Sequence, residues 1–205
     1  MQFIGKWNHN DYIYKSGLKY IIRIEIDKSM KRLLLAILLV SFAFCMPAQD
    51  LRDIQGSMQV YFSPSGGCAE AIVNSIASAK ESILVQAYSF TSSPIAKALV
   101  DAHKRGVVCK VILDKSQRTE KYSEADFLVH SGIETWIDAE HRIAHNKVMV
   151  IDGQIVITGS FNFTKSAETG NAENLLVIRC PELAQKYTEK WKNHEKHSMV
   201  YESKR

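Results

Sequence analysis

Four polar side chains in two short segments have the types and spacing to act on a phosphate ester. His145 and Lys147 lie two residues apart, and Ser160 and Asn162 lie two apart further along the chain. Because residues two apart on an extended strand share a face, an imidazole would lie beside an ammonium, and a hydroxyl beside an amide. These groups offer a nucleophile, hydrogen-bond donors for phosphate oxygens and positive charge for a transition state.

A predicted hairpin brings the two segments together. Residues 147–151 and 154–158 are β-like runs joined by Asp152-Gly153, a strong two-residue turn signal. The return strand therefore ends near the start of the first strand, which places Ser160 and Asn162 close to His145.

The pattern His145-x-Lys147-x4-Asp152 followed by Gly159-Ser-x-Asn162 resembles the signature of the phospholipase D superfamily. Within that superfamily the chain is most similar to the small single-signature members, the bacterial periplasmic endonucleases and the Zucchini-type nucleases. The resemblance covers residues 58–194. It implies a single α/β domain with a mixed β-sheet flanked by helices on both faces.

The resemblance also implies roles for individual residues. His145 would attack phosphorus to give a phosphohistidine, or protonate the leaving oxygen in the partner's half-reaction. Lys147 and Asn162 would hold phosphate oxygens with help from Ser160. Asp152 completes the candidate catalytic set, although its turn position indicates a mainly structural part. Glu173 would orient the nucleophilic histidine by accepting its other ring N–H; the alternative is a solvated strand-end carboxylate.

Only one signature is present, whereas the superfamily chemistry uses two facing histidines. The resemblance therefore implies a homodimer with two-fold symmetry and His145 of both subunits at a shared active site. The physical argument agrees, because one positioned proton donor contributes about 10² to 10⁴-fold to expulsion of an alkoxide. No metal and no cofactor are expected in this mechanism.

Nucleic acid is the expected substrate, with broad sequence tolerance because no base-reading helix or ribbon is evident. A phospholipid hydrolase acting on diesters such as cardiolipin, and a non-catalytic membrane-tethered binding module, are the alternatives. Five basic residues near the signature or strand ends are either phosphate contacts or solvated loop charges: Lys115, Arg118, Lys121, Arg142 and Lys165.

A metal pair formed by His141 and His145 is disfavoured. Four strand residues span roughly 13 Å, too far for one ion. The remaining histidines that follow the N-terminal region are interpreted as surface or helix-end residues: His103, His130, His194 and His197.

The secondary-structure pattern alternates between strand-like and helix-like stretches, which indicates an α/β sandwich. Strands are predicted at 58–62, 82–88, 107–114, 134–137, 147–151, 154–158 and 173–178. Helices are predicted at 68–80, 93–104, 124–130 and 181–194. Phe161 and Phe163 alternate with Ser160 and Asn162 and are predicted to be core residues.

The N-terminal region has a different composition. Met30-Lys-Arg, an apolar run over 33–44 and a short cleavage zone are typical of a bacterial secretory signal. We therefore expect residues 30–48 to be a signal peptide, 1–29 to be a doubtful extension preceding the true start, and 49–205 to be the catalytic domain. The apolar run is short for a spanning helix, so an uncleaved anchor is the weaker alternative and no stable membrane anchor is expected after cleavage. The expected location is periplasmic or secreted.

The net charge and the cysteines say little about the function of the mature domain. Residues 1–48 hold seven basic and three acidic residues, so 19 of each remain and overall charge gives no support to nucleic-acid binding. Of Cys68, Cys109 and Cys180, two could pair in an oxidising compartment, and Cys109 is interpreted as a buried small hydrophobe.

Overall fold

The fold is built on one mixed β-sheet, seen in a computed structural model that describes residues 55–203. The predicted extension 1–29 and signal peptide 30–48 lie outside the described residues. The strands are β1 Ser57–Ser63, β2 Ser82–Ala87, β3 Val108–Asp114, β4 Glu134–Asp138, β5 Lys147–Ile151, β6 Ile155–Gly159, β7 Glu173–Arg179 and β8 Met199–Val200. The helices are α1 Cys68–Ala77, α2 Ser93–Lys104, α3 Ala125–His130, α4 Lys165–Thr169 and α5 Pro181–His197, with a 3₁₀ turn at Lys115–Arg118.

The strand order is β1-β7-β6-β5-β2-β3-β4-β8. β2, β3 and β4 run parallel, connected by α2 and α3, while the other neighbours are antiparallel. β5 therefore lies between β6 and β2 in the middle of the sheet, and every residue of this strand is buried. A side chain at the start of β5 is held by strands on both sides.

Helices cover both faces of the sheet, as predicted. The larger core lies under α1 to α4, where Ile72, Leu99 and Leu128 pack against inward-facing strand residues such as Val85 and Val111. The smaller core lies under α5 on the other face, where Ala184 packs with Val148, Val150 and Val156. Because apolar burial contributes roughly 25 cal/mol per Å², these two layers supply the main stabilisation of the site.

The predicted elements are present, with differences at their ends. α1 stops at Ala77, three residues earlier than predicted, because the Ala79 N–H bonds to the Ile76 carbonyl, three residues back instead of four, and tightens the last turn. β8 and α4 were not predicted; both are short and lack a periodic apolar pattern. α5 extends to His197, three residues beyond the prediction.

Several burial predictions are confirmed. Phe161 and Phe163 are fully buried, and Cys109 is a buried, free cysteine. Cys68 and Cys180 are also buried and free. His194 is at a helix end as expected, but it is only 4% exposed rather than a surface residue, because its ring contacts the buried carboxylate of Asp138. Within residues 55–203, no helix has the length and apolar character needed to cross a bilayer.

Candidate active site

His145 and Lys147 come together where the chain enters β5. The Tyr88 N–H donates to the Asn146 carbonyl at 2.8 Å, which fixes the backbone between the two residues. Lys147 Nζ lies 3.0 Å from both His145 Nδ1 and the His145 carbonyl oxygen. Lys147 is buried, whereas His145 is exposed. The predicted pairing of imidazole and ammonium on one face is thus present.

The contact with Lys147 determines which ring nitrogen of His145 carries the proton. An ammonium group has no acceptor atom, so its hydrogen bond to Nδ1 requires that nitrogen to be unprotonated, and a neutral imidazole then carries its proton on Nε2. A neutral imidazole is a poor acid, so donating a proton from Nε2 requires the imidazolium, in which Nδ1 is protonated as well. A nucleophilic Nε2 requires the proton on Nδ1, and hence release of Lys147 from the ring.

Tyr88, at the end of β2, completes the packing of these two side chains. Its ring centroid lies 4.5 Å from that of His145, and Lys147 Nζ is 5.0 Å from the centre of the same ring. The aromatic face therefore restrains the imidazole and favours the positive charge. Tyr88 was predicted only as a strand residue; an aromatic side chain at a strand end beside the signature strand was the available signal.

The environment of Lys147 makes its ammonium easier to deprotonate than an ordinary lysine. Burial lowers the pKa of Lys147, and the negative charge of Glu173 opposes this shift without cancelling it. Desolvation disfavours the charged form. A phosphate in the pocket would add a second negative charge and would stabilise the ammonium.

The return strand β6 delivers the hydroxyl and the amide. The Ser160 hydroxyl oxygen accepts from the backbone N–H of Asn174 at 3.1 Å and from its side-chain amide at 3.2 Å. Asn162 has a buried side-chain oxygen with no hydrogen-bond partner among the described residues. This oxygen is an acceptor, so contact with a phosphate oxygen would be made by the amide NH2 group of Asn162.

Gly159 is a site residue whose role the sequence did not reveal. Its φ is +153°, and a Cβ at this position would lie 2.3 Å from the Asn174 carbonyl oxygen. Only glycine allows the two backbones to approach so closely while Ser160 turns into the site. The Gly-Ser dipeptide of the signature therefore has a steric reason.

Glu173 lies at the start of β7 and lines the same pocket. Its carboxylate accepts a hydrogen bond from the Asn171 amide at 3.1 Å. Among the described residues it makes no hydrogen bond to His145, whose Nδ1 is held by Lys147. Glu173 acts on the site electrostatically through Lys147, and its predicted role in orienting the histidine stays a prediction.

Asp152 is far from this chemistry. It lies in the turn at the other end of β5, with φ +52°, and does not line the pocket. Its carboxylate accepts the backbone N–H groups of Lys80, Glu81 and Ser82 at 3.0, 2.8 and 2.9 Å. Burial alone would raise the pKa of Asp152, but these three donors lower it below its usual value. The mainly structural part expected for Asp152 has a clear basis: it ties the hairpin to the start of β2.

These elements form an open pocket of about 360 Å³ that is lined by His145, Lys147, Gly159, Ser160, Asn162 and Glu173. Every predicted site residue except Asp152 is therefore in one place. The volume and the convergence of donors are typical of a small-ligand site. The single carboxylate in the lining is a poor donor set for a catalytic divalent ion, whereas the ammonium, amide and hydroxyl suit a phosphate group.

Two of the five predicted basic residues are close to the signature in the chain, and a third contacts the loop before it. Arg142 and Lys165 are exposed, and Lys115 donates to the His141 carbonyl at 3.0 Å, in the loop that leads to His145. Arg118 and Lys121 follow β3 and lie further along the chain. A phosphate-contact role for any of them stays a prediction.

Comparison with known proteins agrees with this geometry. Residues 72–194 match the family described as "Cardiolipin synthase, PLD-like domain". A protein of Rickettsia bellii named "Phospholipase D" is 47% identical over 130 residues, which cover 63% of this chain and 65% of that protein, just under two thirds of its length. A "Mitochondrial cardiolipin hydrolase" of Chlamydomonas reinhardtii is 31% identical over 108 residues, or 53% of this chain and 48% of that protein.

Among solved structures, the phospholipase D family member Nuc from Salmonella typhimurium superimposes with a TM-score of 0.70 and 42% identity. The alignment covers 73% of this chain and 100% of that chain. The eight-stranded mixed sheet with helices on both faces is therefore shared with a solved structure of substantial sequence similarity.

Proposed function

Because the chain belongs to the phospholipase D superfamily, we propose that it is a metal-independent phosphodiesterase that cleaves nucleic acid through a covalent phosphohistidine. The observation that carries the proposal is the His145–Lys147 pair, 3.0 Å apart, at a pocket whose remaining polar lining suits phosphate oxygens. The coarser assignment, a hydrolase of this superfamily, follows from membership itself.

The proposed reaction has two steps. Nε2 of His145 forms a bond to phosphorus while the P–O bond to the leaving oxygen breaks, and His145 of a second subunit supplies the proton that this oxygen takes up. Water then attacks the phosphohistidine, gives its proton back to the second imidazole, and releases His145 and a phosphomonoester. Lys147, Ser160 and Asn162 hold the phosphate oxygens as charge shifts between them.

The contact between Lys147 and His145 links substrate binding to activation of the nucleophile. In the resting site the Lys147 ammonium donates to Nδ1, so Nε2 carries the proton of the neutral ring and cannot attack. An incoming phosphate competes for the Lys147 ammonium and frees Nδ1, so that the proton can move there and Glu173 can accept a hydrogen bond from it. The second His145 enters the reaction as the imidazolium, gives its Nε2 proton to the leaving oxygen and becomes the neutral ring that later takes a proton from water.

A homodimer is part of the proposal, because one chain supplies a single His145. An uncovered apolar patch supports it: Met58, Val60 and Phe62 are 64, 50 and 63% exposed on one face of the edge strand β1. Their neighbours on β7 extend the patch with partly exposed Leu176 and Ile178. An apolar sheet face of this kind indicates an interaction surface.

The position of the patch favours a second copy of the chain as its partner. Phe62 pairs with Asn174, whose backbone N–H donates to the pocket residue Ser160. A two-fold axis near this end of β1 would bring two pockets towards each other, as a shared site requires.

Nucleic acid is favoured as the substrate by exposed groups that lie near the signature residues in the chain. His145 is exposed, and Arg142 and Lys165 lie close to the signature residues in the chain and are exposed. An open site with basic neighbours can bind a polyanionic backbone, with affinity that falls as salt rises. Export to the periplasm or medium belongs to the same proposal and is supported by the signal-like segment 30–48.

A phospholipid diester is the second candidate. Relatives named phospholipase D and mitochondrial cardiolipin hydrolase support it, as does Ile143, which is 50% exposed two residues before His145. An exposed apolar side chain beside the site can insert into a lipid surface.

The test is hydrolysis of plasmid DNA, RNA and cardiolipin vesicles by the purified protein in the presence of EDTA. Cleavage of nucleic acid without lipid turnover is expected, and His145→Ala is expected to abolish it while the circular dichroism spectrum is kept. Lipid turnover alone would replace the substrate assignment, and dependence on an added divalent ion would refute the mechanism.

Subunit mixing tests the shared site. Wild-type and His145→Ala chains are co-refolded in varied proportions, and activity is measured per total protein. If both imidazoles are needed, activity falls with the square of the wild-type fraction, to about one quarter at equal proportions. A linear fall to about one half would show that each chain acts alone.

A further inference from the structure

Four metal-ligating side chains converge at a place separate from the phosphodiester pocket. Asp138 ends β4, His141 lies in the following loop, and His194 and His197 lie in the last turn of α5. Their ligand atoms all lie within 4.8 Å of one another. We propose that Asp138, His141, His194 and His197 form a binding site for Zn²⁺.

The distances to Asp138 are close to those of a tetrahedral ion site. His194 Nδ1, His141 Nδ1 and His197 Nε2 lie 2.8, 3.1 and 3.4 Å from the same oxygen, Oδ2 of Asp138. Ligands at Zn bond lengths of about 2.0–2.1 Å stand about 3.3–3.4 Å apart in a tetrahedron. The four ligand atoms lie within 4.8 Å of one another, so closing the longest separation to the tetrahedral value takes a combined shift of up to about 1.5 Å.

Hydrogen bonding alone accounts poorly for this arrangement. Asp138 Oδ2 has two lone pairs but is approached by three imidazole nitrogens. The other oxygen, Oδ1, is already close to the backbone N–H groups of Glu140 and His141, at 3.2 and 3.5 Å, and to the His141 ring. The three rings also contact one another, with centroids 4.9 to 5.3 Å apart. A central cation gives each nitrogen lone pair a partner.

The site has a buried floor and an open mouth. The side chains of Asp138 and His194 are 0 and 5% exposed, whereas those of His141 and His197 are 44 and 31% exposed. An ion can enter from solvent and settle on the carboxylate. The C-terminal end of α5, which carries partial negative charge, adds to the attraction. Three nitrogens and one carboxylate oxygen are a donor set typical of zinc.

A bound ion would link the C-terminal helix to the catalytic loop. His141 lies four residues before His145, and its carbonyl accepts the Lys115 ammonium at 3.0 Å. Further along the same loop, the Ala144 N–H donates to Asp114 at 2.8 Å. Zinc would join α5 to the loop that positions the nucleophile, and its expected effect is on stability rather than on the chemical step.

The experiment measures metal directly. Full-length protein stripped with chelator and dialysed is titrated with Zn²⁺ by calorimetry, and with Co²⁺ by visible absorption. One ion per chain and the intense d–d bands of tetrahedral cobalt are expected, together with a rise in melting temperature on adding Zn²⁺. His141→Ala and His197→Ala remove exposed ligands, so both should fold, and each should weaken binding at least about 100-fold.

Two controls separate this proposal from the proposed function. His130→Ala removes an exposed histidine at the end of α3, and His145→Ala removes the nucleophile; both should bind zinc as the wild type does. Binding lost in His145→Ala but kept in the His141 and His197 variants would move the ion to the catalytic pocket and overturn the proposal. Absence of stoichiometric binding by the wild-type protein would also overturn it, whatever its activity.

Discussion

Replacement of Lys147 is the sharpest test of the catalytic geometry. In Lys147→Met the side chain keeps its length and apolar stem but loses the ammonium that lies 3.0 Å from two atoms of His145. Because removing one preorganised donor to a developing oxyanion typically costs 10² to 10³-fold, we expect kcat to fall by about that factor. KM should change less, since the charge matters most as it develops in the transition state.

Stability should not explain this loss. Lys147 is 6% exposed, and no salt bridge to it is present among the described residues. Burying an ammonium costs desolvation energy that methionine does not incur. The variant is therefore expected to unfold in urea within about 1 kcal/mol of the wild type.

The pH dependence gives a second readout of the same residue. Lys147 must be protonated to bind phosphate, and burial lowers its pKa below the ordinary lysine value of 10.5. Activity should therefore decline at a lower alkaline pH than it would if the pKa of Lys147 were that of an ordinary lysine. Lys147→Arg keeps its charge at high pH, so whatever activity it retains should persist further into the alkaline range.

The assay is steady-state hydrolysis of a chromogenic phosphodiester in EDTA, with full pH–rate profiles of the wild type and both variants. The reasoning would be refuted if a folded Lys147→Met enzyme kept kcat within tenfold of the wild type. It would equally be refuted if the alkaline limb were the same in the wild type and the arginine variant.

Three further variants test the supports of the site. Asp152→Asn removes the charged acceptor of three backbone N–H groups and should destabilise the protein by about 1–3 kcal/mol, measured by urea unfolding. Because the pKa of Asp152 is lower in the folded protein than in the unfolded chain, its contribution to stability is present above the unfolded pKa and is lost as pH falls through the folded pKa. The stability difference between the wild type and the asparagine variant should therefore shrink in acid, and a constant difference would contradict this. Gly159→Ala should lower the melting temperature and activity together, because its Cβ would meet the Asn174 carbonyl at 2.3 Å, and an unchanged enzyme would disprove the steric argument. Val60→Glu places a charge on the apolar patch and should yield folded, inactive monomers by light scattering, whereas an active dimer would remove the patch from the interface.

The main features of the fold could be predicted from the sequence because they depend on local patterns. The Asp152-Gly153 turn and the apolar runs around it require only neighbours in the chain, and the structure confirms that hairpin. The core positions of Phe161 and Phe163 follow from alternation with two polar residues. The ends of helices were less predictable. α1 stops early because of one backbone hydrogen bond, and a backbone hydrogen bond cannot be read from residue types.

The candidate site was predictable to the same extent. The meeting of His145, Lys147, Ser160 and Asn162 in one pocket follows from strand periodicity and a tight turn, which are short-range properties. Glu173 was assigned from the family resemblance, and its place in the pocket depends on the pairing of β6 with β7. Tyr88 was missed as a site residue because its contact with His145 depends on β2 lying next to β5. Strand order is a property of the whole sheet, and periodicity does not encode it.

The sequence by itself determined most of the chemistry of the phosphodiester pocket, since His145, Lys147, Ser160 and Asn162 flank two adjacent strands joined by a three-residue turn. Only the tertiary structure decided which backbone groups Asp152 binds and that the histidine cluster forms. Asp138 and His194 are 56 positions apart in the chain and meet because α5 packs back across the sheet onto β4. Such contacts arise when apolar faces that are distant in sequence are buried against each other. Polar groups on the elements concerned then come together, and no local sequence pattern predicts it.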